Sequence, residues 1–231
     1  MIMNTKKKDA RIAGVLYLLI AITGGFGIMY ASSSIIVPGD PTTTASNLIN
    51  SESLFRLSIL SNLISQTLTI FLVLRLSQLF KGVNPKLTKY MVTLILVAVP
   101  ISFLNILNLV AAQMFVNGTD FLGVFDTAQL NALALVFLNL YEYGISVVGI
   151  FWGLWLFPFG MLIIKSKFIP KIIGIFLTIG CFAYVIDSFV SILLPEYNES
   201  ITLIMMIPLA LGEFSIVFWL LIKGVKNKIA I

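Results

Sequence analysis

The side chains best suited to chemistry in this sequence are carboxylates inside apolar runs. Asp187 lies within AYVIDSFVSILLP (residues 183–195), and Glu142 and Glu213 interrupt similar stretches. An ionised carboxylate at the centre of a membrane-spanning helix costs about 2.5–3.5 kcal/mol unless it is paired or solvated. Each of these groups is therefore expected to form an ion pair, to be protonated, or to face a water-filled cavity that holds a proton, an ion or a ligand.

Polar side chains accompany the carboxylates at helical spacing. Around Asp187, the residues Tyr184, Ser188 and Ser191 complete an i, i+3, i+4, i+7 pattern, which places all four on one helix face. Comparable polar sets interrupt other apolar runs: Ser58, Asn62, Ser65, Gln66 and Thr69; Ser102, Asn105 and Asn108; Asn139, Glu142 and Ser146. Serine, threonine and asparagine on such faces commonly form hydrogen bonds between helices.

Arg56 is the only basic residue at a depth that matches the carboxylates, so we expect it to pair with Asp187 or Glu213. One arginine does not neutralise three carboxylates, which favours a polar cavity in the outer half of the membrane. We predict no catalytic residue, and the predicted ligand or ion-pair cavity contains Arg56, Asn62, Gln66, Asn105, Asn108, Glu142, Tyr184, Asp187 and Glu213. The alternative is a purely structural ion pair among helix-joining polar stripes.

The composition requires most of these residues to lie in lipid. The chain has 231 residues, of which 59% are hydrophobic and 11% are charged, whereas soluble domains carry about 25% charged residues. It contains no histidine and one cysteine, Cys181. The usual metal and haem ligands are therefore missing, and we predict neither a metal site nor a cofactor.

The apolar runs predict an all-α membrane protein, a six-helix transmembrane bundle that forms a single domain over residues 1–231. A spanning helix needs about 20 mostly apolar residues, and six runs meet this requirement: Ile12–Ser33, Leu54–Phe80, Thr88–Phe115, Tyr143–Ile164, Ile172–Leu194 and Ile201–Ile222. Residues 126–142 begin with a capping box formed by Asp126 and Gln129. They predict a short outer-surface or partly inserted helix before the fourth span, with a seventh span as the alternative.

The charges predict the orientation. With six spans, fourteen of the fifteen basic residues fall on one side of the membrane, including Lys226 and Lys228, and acidic residues such as Asp120 fall on the other. Because basic loops remain in the cytoplasm, both termini are predicted to be cytoplasmic. The net charge of +5 is thus a topology signal. It does not indicate a nucleic-acid partner, and the lipid bilayer is the partner that the sequence requires.

Two further patterns predict packing. Gly149 and Gly153 form a small-xxx-small pair, which is typical of helices in close contact. Trp219 lies one turn before Lys223 and is expected to anchor the membrane interface. Trp152 and Trp155 lie deeper in the fourth apolar run, where core packing is expected.

Several segments, in order, resemble a bacterial membrane-protein family described as domain of unknown function 4386. They are SESLFRLSILSNLI, VPISFLNILNLVAA, FIPKIIGIFLTIGCFAYVIDSFVSILLP and PLALGEFSIVFWLLIKG. The resemblance runs from about Ala10 to Gly224 and implies a one-domain integral protein of the bacterial plasma membrane, without assigning an activity. Members of the family often carry histidine where this chain has Tyr141 and Trp155, so histidine-dependent chemistry does not carry over.

Three functions fit these features. The first is a binder or transporter of a small or lipophilic molecule that uses the outer-half cavity, although no internal repeat typical of transporters is found. The second is a non-catalytic scaffold or sensor subunit with a membrane-protein partner. An intramembrane enzyme ranks last, because the sequence contains no GxSxG, DDxxD or zinc motif.

Overall fold

The computed structural model describes residues 2–118 and 122–225, and these form helices joined by short connections. The helices are α1 Ile2–Gly24, a π-helix Gly25–Tyr30, α2 Ala31–Ile35, α3 Pro41–Asn50, α4 Glu52–Phe80, α5 Pro85–Asn117, α6 Thr127–Leu154, α7 Leu156–Ser166, α8 Lys171–Leu193, a 3₁₀ turn Pro195–Tyr197 and α9 Asn198–Ile222. Asp120, Lys226 and Lys228, which the charge argument used, lie outside the described residues.

Six helical segments of the described chain are long and apolar enough to cross a membrane. They are Lys6–Ile35, Glu52–Phe80, Pro85–Asn117, Thr127–Ser166, Lys171–Leu193 and Ser200–Ile222. Large apolar side chains such as Leu104 and Leu203 are exposed along these helices, as expected where lipid is the solvent. The predicted fold class is confirmed, and the chain is a multi-pass membrane protein.

The capping box predicted at residue 126 is present. The Gln129 backbone N–H donates to Asp126 Oδ1 over 2.8 Å, and the Asp126 N–H donates to Gln129 Oε1 over 3.0 Å. The helix that begins there does not stop at residue 142 but continues as α6 to Leu154. Its 28 residues extend about 42 Å at 1.5 Å each, so α6 alone exceeds an about 30 Å hydrocarbon core.

The break between α6 and α7 has a cause in the sequence. Pro158 has no N–H to donate to the carbonyl group of Leu154, four residues earlier. The two helices meet at Trp155, and the segment through Ser166 remains apolar and largely buried.

One helix was not predicted. Helix α3 lies in the segment that the hydropathy pattern assigned to an outer loop. Asp40 caps its first turn by accepting the Thr43 N–H over 2.9 Å, and Pro41 occupies the first helical position. Hydrogen bonds from Thr43 hold the pKa of Asp40 below its usual value. Leu48 is fully buried, which fixes α3 against its neighbours.

The chain divides into two compact units. Unit 1 contains Met1–Leu19, Leu68–Val99 and Ser146–Ile231, and unit 2 contains Ile20–Thr67 and Pro100–Ile145. The core of unit 2 is a cluster of buried side chains from α2 to α6: Ile35, Leu48, Phe55, Leu109, Ala112, Ala134, Leu138 and Tyr141.

Glycines set the helix contacts within unit 1. A Cβ on Gly153 would lie 2.7 Å from Tyr184 Cβ, and a Cβ on Gly149 would lie 2.7 Å from Ser188 Oγ. The predicted small-xxx-small contact is therefore confirmed, and it joins α6 to α8. Helices α7 and α8 approach still more closely, because a Cβ on Gly160 would lie 2.5 Å from the backbone oxygen of Gly174.

Candidate functional site

In unit 2, the polar face of α4 lies against glycines of the first span. A Cβ on Gly27 would lie 2.9 Å from Asn62 Nδ2 and 3.0 Å from the backbone oxygen of Ser58. A Cβ on Gly24 would lie 3.3 Å from Ser65 Oγ. Gly27 belongs to the π-helix, a widened turn that is frequent at functional sites. The absence of side chains there brings the Asn62 amide close to the opposing backbone.

A chain of amides joins α5 to α6 in the same unit. Asn105 Nδ2 donates to the backbone oxygen of Tyr141 over 2.9 Å, and Asn108 Nδ2 donates to Asn105 Oδ1 over 3.0 Å. A carbonyl oxygen has two lone pairs, so Tyr141 can accept this bond beside its helical one. Gly144 makes the contact possible, because a Cβ at this position would overlap the Asn105 amide.

Three buried polar atoms in this region have no hydrogen-bond partner among the described residues: Asn62 Nδ2, Gln66 Oε1 and the Tyr141 hydroxyl. Their residues are only 2%, 5% and 1% exposed. The Tyr141 hydroxyl lies beside the Asn62 side chain, but the two form no hydrogen bond of regular geometry. Because buried polar groups are nearly always bonded in native proteins, these atoms call for a partner that the described side chains do not supply.

We call this region the amide niche, defined as Asn62, Gln66, Asn105, Asn108 and Tyr141. It contains four of the predicted site residues and adds Tyr141. Every member is uncharged at neutral pH. The neighbouring Glu142 has an exposed side chain and is not a member of the niche.

Arg56 has a partner that was not predicted, on its own helix. Its guanidinium holds Glu52 Oε1 through Nη2 at 2.7 Å and Nε at 3.0 Å, and these two side chains are 64% and 42% exposed. Gln113 and Asn117 donate to the same oxygen over 3.2 and 3.3 Å. The carboxylate one turn earlier on the same helix is the nearer partner, and assigning Glu52 to the preceding loop concealed it.

Asp187 accepts hydrogen bonds from hydroxyl groups of α8 and α9. Thr202 Oγ1 donates to Asp187 Oδ1 over 2.5 Å, and Ser191 Oγ donates to the Asp187 backbone oxygen over 2.9 Å. Asn198 Oδ1 lies 2.6 Å from Ser191 Oγ and 3.0 Å from Thr202 Oγ1. The predicted polar face therefore exists, and within unit 1 the Asp187 carboxyl group is bonded by a hydroxyl of α9.

Glu213 also belongs to unit 1, where it lies near enough to Tyr17 and Tyr184 to interact with them electrostatically. Tyr17 is buried and was not identified from the sequence. Tyr184, Asp187 and Glu213 are thus residues of unit 1, whereas the amide niche belongs to unit 2. That all nine predicted residues line one cavity stays a prediction.

The comparison with known families identifies the chain. The family described as Domain of unknown function (DUF4386) matches residues 12–224. The chain belongs to this family. No curated protein and no solved structure matches this chain.

In this DUF4386 protein, the two positions singled out by the resemblance have different surroundings. Tyr141 lies in the amide niche, whereas Trp155 is buried in unit 1. The Trp155 ring stacks on Phe159 with centroids 5.1 Å apart and lies 6.1 Å from the Tyr17 ring. Core packing, as predicted for Trp155, accounts for these contacts.

Metal binding was not predicted, and within residues 2–118 and 122–225 no group of three or more His, Cys, Asp or Glu side chains converges. The chemistry that the niche offers a ligand is hydrogen bonding by the unbonded atoms of two of its four carboxamides, on Asn62 and Gln66, and by the Tyr141 hydroxyl. Gly27 and Gly144, which create the close approaches, were not singled out from the sequence, because a lone glycine in an apolar run does not indicate what packs on it.

Proposed function

We propose that this DUF4386 protein binds a small, uncharged molecule in the amide niche and serves as a membrane receptor or carrier for it. The observation that carries the proposal is the set of three unbonded buried atoms on Asn62, Gln66 and Tyr141. Leaving such a group unbonded costs about 1–3 kcal/mol. A bound molecule that satisfied these atoms would recover this free energy as affinity.

The niche restricts the chemistry of the ligand. The unbonded atoms are an amide nitrogen, an amide oxygen and a hydroxyl, so they supply both donors and acceptors. No charged side chain belongs to the niche as defined, which favours an uncharged ligand. Leu109 and Leu138 are buried in the same core cluster as Tyr141, which favours an apolar ligand body. A lipophilic alcohol or primary amide meets these requirements.

Thermal unfolding of the protein in nanodiscs tests the proposal. The probes are 1-octanol and octanamide, with methyl octyl ether as a matched compound that lacks a donor. We expect the alcohol and the amide to raise the melting temperature saturably, and the ether to do so less. In Asn62→Leu the shift should disappear, while Asn50→Leu, on an exposed position of α3, should respond like the wild type.

The two variants also separate binding from structure. Asn62→Leu removes a buried unbonded amide, so without ligand it should be as stable as the wild type or more stable. If Asn62→Leu and wild type respond equally to the probes, the niche is not a binding site. The polar face of α4 would then serve only to join helices.

A further inference from the structure

A second candidate site lies in unit 1, in a groove between α8 and α9 at their lysine-bearing ends. The groove has a volume of about 410 Å³, within the range of about 300–1,000 Å³ that is usual for ligand sites. Its lining is apolar apart from a serine, a tryptophan and a lysine: Pro170, Ile172, Ile173, Phe176, Ser215, Phe218, Trp219, Ile222 and Lys223.

The sequence explains where the groove begins. A Cβ on Gly212 would lie 3.1 Å from the backbone oxygen of Phe176, so the two helices touch at that level. The lining residues lie on the lysine side of this contact, at positions 170–176 and 215–223. The groove therefore runs from the glycine contact to the helix ends, where a membrane interface is expected from Lys171 and Lys223.

The charge at the open end is entirely positive. Lys223 lines the groove, and Lys171 lies between the lining residues Pro170 and Ile172. Lys165 in the last turn of α7 and Lys167 just after that helix precede them, and all four lysines are exposed. Neither 165–173 nor 214–225 contains an acidic residue, so an anionic head group would meet lysines and no carboxylate from these two segments.

We propose that this groove binds one anionic phospholipid, with an acyl chain along Phe176, Phe218 and Ile222 and the phosphate between Lys171 and Lys223. An apolar channel that ends in uncompensated lysines matches a molecule with an apolar tail and an anionic head. The positive-inside rule places this end in the cytoplasmic leaflet. The site lies in unit 1 and is independent of the function proposed for the amide niche.

Native mass spectrometry of the full chain tests the site, with dioleoyl phosphatidylglycerol and dioleoyl phosphatidylcholine as probes. We expect phosphatidylglycerol to bind more tightly. Since each basic residue near an anionic lipid contributes roughly 1 kcal/mol, Lys171→Gln with Lys223→Gln should reduce that preference about 10- to 30-fold. The matched control is Lys81→Gln with Lys89→Gln, which removes the same charge from another basic segment and should retain the preference.

Glycerol 3-phosphate, which has the head group but no tail, should compete poorly if the apolar groove contributes. The proposal is overturned if both double variants lose the preference equally, or if neither does. It is also overturned if free glycerol 3-phosphate displaces bound phosphatidylglycerol at the same concentration as added phosphatidylglycerol does. A dimer that excludes lipid and dissociates in Phe218→Ala would assign the groove to a second copy of the chain instead.

Discussion

Replacing Gly144 by alanine tests the packing that holds the amide niche together. The added Cβ would overlap the Asn105 side chain, whose Nδ2 donates a hydrogen bond to the Tyr141 backbone oxygen over 2.9 Å. Overpacking costs about 1–3 kcal/mol, and the displaced hydrogen bond costs about 1 kcal/mol more. The better helix propensity of alanine returns up to about 1 kcal/mol. We therefore expect a net loss of about 1–3 kcal/mol.

The assay is unfolding in mixed micelles, by heat or by titration with a denaturing detergent. For a chain of this size the loss corresponds to a melting temperature lower by roughly 2–12 °C. In an Asn105→Ala background the overlap is gone, so Gly144→Ala should there be neutral or stabilising. Gly25→Ala is the control, because no heavy atom lies within 4 Å of its added Cβ. Equal losses from Gly144→Ala in both backgrounds would refute this packing.

Other changes test the remaining contacts and the topology. Arg56→Ala should lower the free energy of unfolding by less than about 1 kcal/mol, because its ion pair with Glu52 is exposed. In a double-mutant cycle with Asp187→Ala the two losses should add, whereas strong coupling would favour a pair between Arg56 and Asp187. Gly160→Ala should lower the melting temperature clearly, since its Cβ would meet the backbone of α8, and an unchanged value would contradict that contact. Reporter fusions after Lys228 should be cytoplasmic and those within Thr42–Asn50 external; the reverse would overturn the orientation.

The spans could be predicted from the sequence because a segment that lies in lipid must be apolar along about 20 residues. This property depends only on the local composition of the chain. The helix α3 could not, since it is short, moderately polar and held by Leu48 in the core of unit 2. Its capping signal, Asp40 followed by Pro41, was present in the sequence but lay in a segment read as a loop.

The sequence predicted which polar residues belong to the candidate site, but it did not predict which groups these residues contact. The polar faces of α4 and α5 provided Asn62, Gln66 and Asn105, and the helical period places such residues correctly on one side of a helix. Which backbone a face meets depends on glycines elsewhere in the chain, such as Gly27 and Gly144. Glu52 was missed as the partner of Arg56 for a related reason: depth along the membrane normal does not distinguish a distant carboxylate from one on the same helix.

The central claim is that a small uncharged molecule binds the amide niche, and a high-resolution structure of the protein in nanodiscs with octanamide tests it most directly. We predict density for the ligand amide within hydrogen-bond distance of Asn62, Gln66 or the Tyr141 hydroxyl. Binding should turn at least two of these three unbonded groups into bonded ones. A structure in which they bond to one another or to other protein atoms, with the ligand elsewhere, would contradict the account.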